Sequence, residues 1–144
     1  MTDLQSIKDD FAYLDDWEDR YRYVIELGKA LPDLPDAEKT EAAKVRGCAS
    51  QVWLVSEKAD GPENDPVMTY RGDSDSFIVR GLVAIVLAVA SGRKASDIMK
   101  MDAAGLLDEF GLGEHLTAQR ANGLRSMVER IKSEAARACV NKAD

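Results

Sequence analysis

An α+β fold, in which a small antiparallel sheet packs against several helices, is what the order of elements in this sequence predicts. Three observations carry it. Apolar residues repeat at helical spacing near both ends of the chain, two short runs rich in branched and aromatic residues lie between them, and a polar, turn-forming stretch separates those runs. Neither an internal repeat nor a low-complexity linker divides the sequence, so residues 1–144 read as one domain.

The elements follow in order. Leu4, Ile7 and Phe11 recur at helical spacing and predict a short helix starting near Asp3. Asp15 and Asp16 can cap a second helix, whose stripe Trp17, Tyr21, Val24, Leu27 and Leu31 steps by three and four before Pro32-Asp33-Leu34-Pro35 ends it. A polar segment, Asp36 to Lys44, leads to Val45-Arg46-Gly47-Cys48. Gln51-Val52-Trp53-Leu54-Val55 and Val67-Met68-Thr69-Tyr70-Arg71 then read as two strands of an antiparallel hairpin, joined by the turn formers of Ala59 to Pro66. Gly72-Asp73-Ser74-Asp75 offers cap residues to the helix Phe77 to Ala90, and Gly92 can close that helix in a left-handed conformation. This helix is apolar almost all round, so it must be buried on several sides. Ser96 and Asp97 open a short helical piece, Ala103 to Phe110 forms another, and Gly111 and Gly113 break the chain. Thr117 caps a long final helix with the buried stripe Ala121, Leu124, Val128, Ile131 and Ala135.

Composition narrows the function. Nineteen Lys and Arg against twenty-six Asp and Glu give a net charge of −7, and no basic run stands out, so binding to nucleic-acid phosphates is not expected. The longest uncharged stretch, Gly81 to Gly92, is too short to span a bilayer, which takes about 20 residues. Met1-Thr2-Asp3-Leu4 lacks a basic and apolar leader pattern, and the chain reads as cytoplasmic. Cys48 and Cys139 form no CxxC pair, so both are expected to be free thiols, and a zinc ribbon or a thioredoxin-type site is excluded.

The segment Val45 to Trp53 is where chemistry concentrates. Cys48 follows Gly47 and precedes a strand, a position where the chain turns sharply and backbone N–H groups, or Arg46, can favour a sulfur anion. The alternative is a small buried hydrophobe. His115 is the only histidine, and no companion motif supports its pairing with Cys48 as in a hydrolase. Arg120 falls in the first turn of the last helix, where the macrodipole disfavours a cation, which points either to an anionic partner or to a solvated side chain. Capping accounts for Asp73 and Asp75. The spacing of Cys48, Asp73, Asp75 and His115 gives no sign of a metal site.

Together these segments resemble the SufE family of sulfur-acceptor proteins. Four blocks carry the resemblance: Tyr23-Val24-Ile25-Glu26-Leu27-Gly28 with Leu31-Pro32, then Gly47-Cys48-x-Ser50-x-Val52-Trp53, then Gly72-Asp73-Ser74-Asp75 through Gly81-Leu82, then His115-Leu116-Thr117-x-x-Arg120-x-x-Gly123-Leu124. The resemblance implies an α+β fold like that of iron–sulfur scaffold proteins and places the acceptor thiol at Cys48. Its implied partners are a pyridoxal-phosphate cysteine desulfurase of SufS or CsdA type, which supplies persulfide sulfur, and an iron–sulfur scaffold complex, which receives it. Thiol exchange needs no metal and no cofactor in this chain. Arg46, Gly47, Ser50, Gln51, Trp53, Asp73, Asp75, His115 and Arg120 are then expected to bind the partner or support the Cys48 loop, and Cys139 has no role. A non-catalytic desulfurase activator with a merely structural Cys48 is the alternative. The sequence departs from shorter relatives in the loop Ala59 to Pro66, which is extended and holds two prolines.

Overall fold

The computed structural model describes residues 3–48, 50–59 and 61–140. Ala49, beside Cys48, and Asp60, in the hairpin turn, lie outside them. The described residues form six helices and a three-stranded antiparallel sheet, the α+β arrangement that the sequence predicts.

Helix α1 (Leu4–Tyr13) starts where Asp3 accepts a hydrogen bond from the Ser6 N–H, and α2 (Trp17–Ala30) starts where Asp16 does the same for Glu18. Both caps satisfy donors that the first turn leaves free. After a single 3₁₀ turn at Asp36–Glu38, strand β1 (Val52–Lys58) pairs with β2 (Val67–Ser74) in a register running from Val52 opposite Ser74 to Lys58 opposite Met68. Val52, Leu54, Met68 and Tyr70 are buried, and the period of two faces them to one side. Strand β3 (Arg93–Lys94) adds two residues to the far edge of β2, too short a run to show in the sequence. Helix α4 (Ala95–Ile98), α5 (Ala103–Glu109) and the long α6 (Ala118–Val140) complete the described residues.

Helix α3 (Phe77–Ala90) is the centre of the core. Leu82 through Leu87 are buried without exception, and α2, β2, α6 and α1 all pack on it. Each large side chain buried there contributes about 1.5–3 kcal/mol. Phe77, 55% exposed, is the main exception to the all-round burial expected of this helix, and Ala88 and Val89 are half-buried. Gly92, at φ +85°, ends the turn after α3 and donates its N–H to the Met68 carbonyl at 2.8 Å, starting β3.

The crossing of α2 and α3 brings backbone against backbone. A Cβ on Gly81 would stand 2.0 Å from the Val24 carbonyl oxygen, and one on Gly28 would stand 2.2 Å from that of Phe77. Only glycine fits either place.

Asp73 and Asp75 do not cap α3, contrary to the sequence reading. Ser76 holds the N-cap position without a side-chain hydrogen bond. Asp73 lies buried at the end of β2, paired with the equally buried Arg80, and also accepts the N–H groups of Leu34 at 3.0 Å and Ser74 at 2.7 Å. Arg80 in turn donates to the Gly28 carbonyl at 2.8 Å and to that of Leu31, so it caps the C-terminal end of α2 where the helix leaves carbonyls unpaired. Burial opposes the charge of Asp73, but the Leu34 and Ser74 N–H groups, followed by Arg80 and Lys39, outweigh it and hold the carboxyl below its ordinary pKa.

Candidate functional site

The Cys48 loop is closed by its own stem. Val45 donates its N–H to the Val52 carbonyl at 2.8 Å and Leu54 donates to Ala43 at 2.9 Å, so the chain leaves and re-enters the sheet at neighbouring positions. Arg130 of α6 grips the incoming strand through the carbonyls of Ala42 at 2.6 Å and Lys44 at 3.1 Å. The outgoing side is held by Asp75, whose carboxylate accepts the Gln51 N–H at 3.2 Å while its own N–H donates to the Gln51 carbonyl at 3.3 Å. Gly47 turns the tip at φ +91°, and a Cβ there would meet Ser126 Oγ at 2.5 Å, so α6 abuts the loop directly.

Cys48 is half-buried, and its thiol donates to the Gly123 carbonyl of α6 at 3.6 Å. It borders a cavity of about 220 Å³. Ser50 lines it from the loop, Val79 and Leu82 from α3, and Thr117, Gln119, Arg120, Gly123 and Met127 from α6. Burial pushes the Cys48 thiol pKa up, so the resting sulfur is a protonated donor and not an anion. That overturns the expectation that nearby N–H groups or Arg46 favour a thiolate here. Arg46 is exposed and paired with Glu41 at 3.7 Å.

The remaining candidates divide by place. Ser50 and Arg120 share the cavity with Cys48. Thr117 caps α6 by accepting the Arg120 N–H at 3.2 Å, as predicted. Arg120 has a neutral partner rather than an anionic one: its Nη1 donates to the phenol oxygen of Tyr21 at 3.3 Å, and no carboxylate pairs with it among the described residues. His115 is exposed and stacks on Trp17, with ring centroids 4.1 Å apart. Trp53 lies under the Lys39 ammonium at 5.3 Å, and Lys39 also approaches Asp73 at 3.5 Å. Cys48, Asp73, Asp75 and His115 form no metal-binding group among the described residues. Cys139 is far along α6, with Met99 Sδ 3.9 Å from its sulfur.

Several contributors had no role in the sequence reading. Gly123 had a signal, because glycine inside a helix costs about 1 kcal/mol against alanine, and its place in the last of the four blocks marks it as well. Val79 and Leu82 had the same kind of signal, from their place in the third block, although as apolar helix residues they pass for ordinary core; Ser126 had none until α6 meets the Cys48 loop.

A small α+β protein whose one loop cysteine is held against a cavity between two helices is the class that fold and site define. Residues 5–135 match the SufE family, described as an Fe-S metabolism associated domain, and the chain belongs to that family. It is 62% identical over 135 residues to a SufE-like protein of Rhizobium meliloti, covering 94% of this chain and 96% of that one. It is 39% identical over 127 residues to the sulfur acceptor protein CsdE of Escherichia coli, covering 88% and 84%. A solution structure of a hypothetical protein from Thermus thermophilus shares the fold, with TM-score 0.72, 18% identity and 94% of each chain covered.

Proposed function

We propose that this chain is a sulfur acceptor and carrier acting from the cytoplasm as a single domain, residues 1–144. Cys48 takes persulfide sulfur from a pyridoxal-phosphate cysteine desulfurase of SufS or CsdA type, stimulates that enzyme by relieving it of product, and passes the sulfur to an iron–sulfur scaffold complex. The observation that carries this reading is a lone thiol at a loop tip, half-buried beside a cavity, in a chain of the SufE family. The likeness to the sulfur acceptor CsdE supports it.

The chemistry is thiol–persulfide exchange. In the resting loop the thiol keeps its proton, because burial disfavours the anion. When the loop leaves α6 the sulfur meets water, its pKa falls back toward the ordinary value near 8.5, and the thiolate forms. That thiolate attacks the outer sulfur of the donor persulfide. One S–S bond breaks as another forms, the donor cysteine leaves as a thiolate that takes up a proton, and no net oxidation occurs. Ser50, Gln51, Asp75 and Gly47 keep the loop closed between encounters, while Arg46, Trp53, Asp73, His115 and Arg120 are the further positions at which the partner binds or the loop is supported.

Cys48→Ser tests the reading, since the hydroxyl is nearly the same size but a far weaker nucleophile toward sulfane sulfur. Sulfur loading, followed by mass spectrometry after incubation with a desulfurase and cysteine, and desulfurase stimulation should both disappear while thermal unfolding is unchanged. Cys139→Ser should alter neither. Full stimulation by a folded Cys48→Ser variant would leave the activator without chemistry as the correct description.

A further inference from the structure

Trp17 and Tyr21 continue the apolar stripe of α2 in the sequence, yet neither is buried as Val24 and Leu27 are. They stand one helical turn apart, and both reach the segment entering α6: Trp17 stacks on His115, and Tyr21 accepts the hydrogen bond of Arg120. Arg120 is also the only charged side chain among the described residues lining the Cys48 cavity. A carboxylate in place of the phenol would hold the guanidinium equally well but cancel its charge. A phenol confines it and, among the described residues, leaves the charge without a carboxylate and the other guanidinium N–H groups without a hydrogen-bond partner.

We infer that Tyr21 is a positioning residue of the Cys48 site, holding the Arg120 guanidinium at the cavity wall so that it receives an anionic group arriving at the sulfur. That the natural anion is a thiolate or persulfide rests on the carrier role proposed above; the positioning does not. The neighbouring charges do not duplicate it. Arg46 points its charge to Glu41 at the exposed side of the loop, α3 presents only Val79 and Leu82 to the cavity, and the other α6 residues lining it are neutral.

The test uses two alkylating reagents of similar size, anionic iodoacetate and neutral iodoacetamide, on the full chain carrying Cys139→Ser so that only Cys48 reports. A simple loosening of the loop changes both rates together, whereas a displaced cation changes their ratio. The ratio of iodoacetate to iodoacetamide rate should fall about three-fold in Tyr21→Phe and in Arg120→Ala, as expected for one screened charge at short range. It should fall no further in the double variant. Arg120→Lys should keep only part of the ratio, because the ammonium lacks the planar fork. An unchanged ratio in Tyr21→Phe, additive losses in the double variant, full retention by Arg120→Lys, or a loss produced by Arg46→Ala instead would each overturn the assignment. No desulfurase is present in this assay, so its failure is separate from a failure of sulfur transfer at Cys48.

Discussion

At the scale of single residues, Cys48 is governed by the conflict between protection and reactivity. The contact with the Gly123 carbonyl and the burial of the sulfur both favour the neutral thiol, which is the form least able to attack. In the carrier role proposed above, reactivity depends on local opening of the loop, an event of lower free energy than global unfolding. In a Cys139→Ser background, Cys48 should be alkylated on the order of ten-fold more slowly than a free thiol at the same pH, with the rate still rising above the ordinary thiol pKa. A catalytically silent desulfurase should accelerate the labelling. Equal rates with and without the partner would mean that the loop is open at rest. Gly47 bears on the same balance: alanine there adds both left-handed strain and a contact with Ser126, and Gly47→Ala should speed labelling while lowering stability by about 1–2 kcal/mol.

At the scale of elements, the position of the cavity depends on how α3 is seated. Val79 and Leu82 form its wall from the same helix that Gly81 presses onto α2. Gly81→Ala drives a methyl into the Val24 carbonyl, and a loss of about 2–3 kcal/mol is expected from overpacking, read from urea unfolding midpoints. The Asp73–Arg80 pair fixes the same junction from the sheet side. Asp73→Asn removes the buried one of two carboxylates paired with the Arg80 guanidinium, leaving it only the exposed Asp33 at 3.0 Å, and should cost about 3 kcal/mol, the low end for breaking a buried pair. Combining it with Arg80→Met should cost less than the sum of the two single changes, and additive losses would show that the pair is not coupled. The four blocks that mark the chain as a SufE family member are also these structural joints: Gly28, Asp73 and Gly81 hold the frame, while Cys48, Arg120 and Gly123 meet at the cavity.

For the whole molecule, the pH dependence of stability has a definite sign. The Asp73 carboxyl has a lower pKa folded than unfolded, so the stability it contributes is fully present above the unfolded value near 3.9 and is lost as pH falls through the folded value. Unfolding midpoints in urea should decline as the pH drops below about 4, and the decline should be shallower in Asp73→Asn, where that proton uptake is gone. An identical slope in both proteins would assign acid lability to other carboxylates.

The sequence by itself determined the periodic elements and singled out Cys48 as the candidate site. Helices α1, α2 and α6 and the β1–β2 hairpin were legible because burial on one face imposes a period of 3.6 or 2 on neighbouring residues, α3 because burial on several sides leaves it apolar almost all round, and the caps Asp16 and Thr117 because they bond within the next turn. Cys48 stood out through its local motif. Tertiary structure alone decided what distant residues do to one another. Asp73 reads as a cap in the sequence, but Arg80 claims it; Tyr21 reads as core, but Arg120 holds it; Gly123 and Ser126 read as helix, but the Cys48 loop lies on them. The physical reason is range: propensity and capping act across a few bonded neighbours, whereas a thiol's burial, a carboxylate's partner and a guanidinium's anchor are set by side chains brought together only when the helices pack.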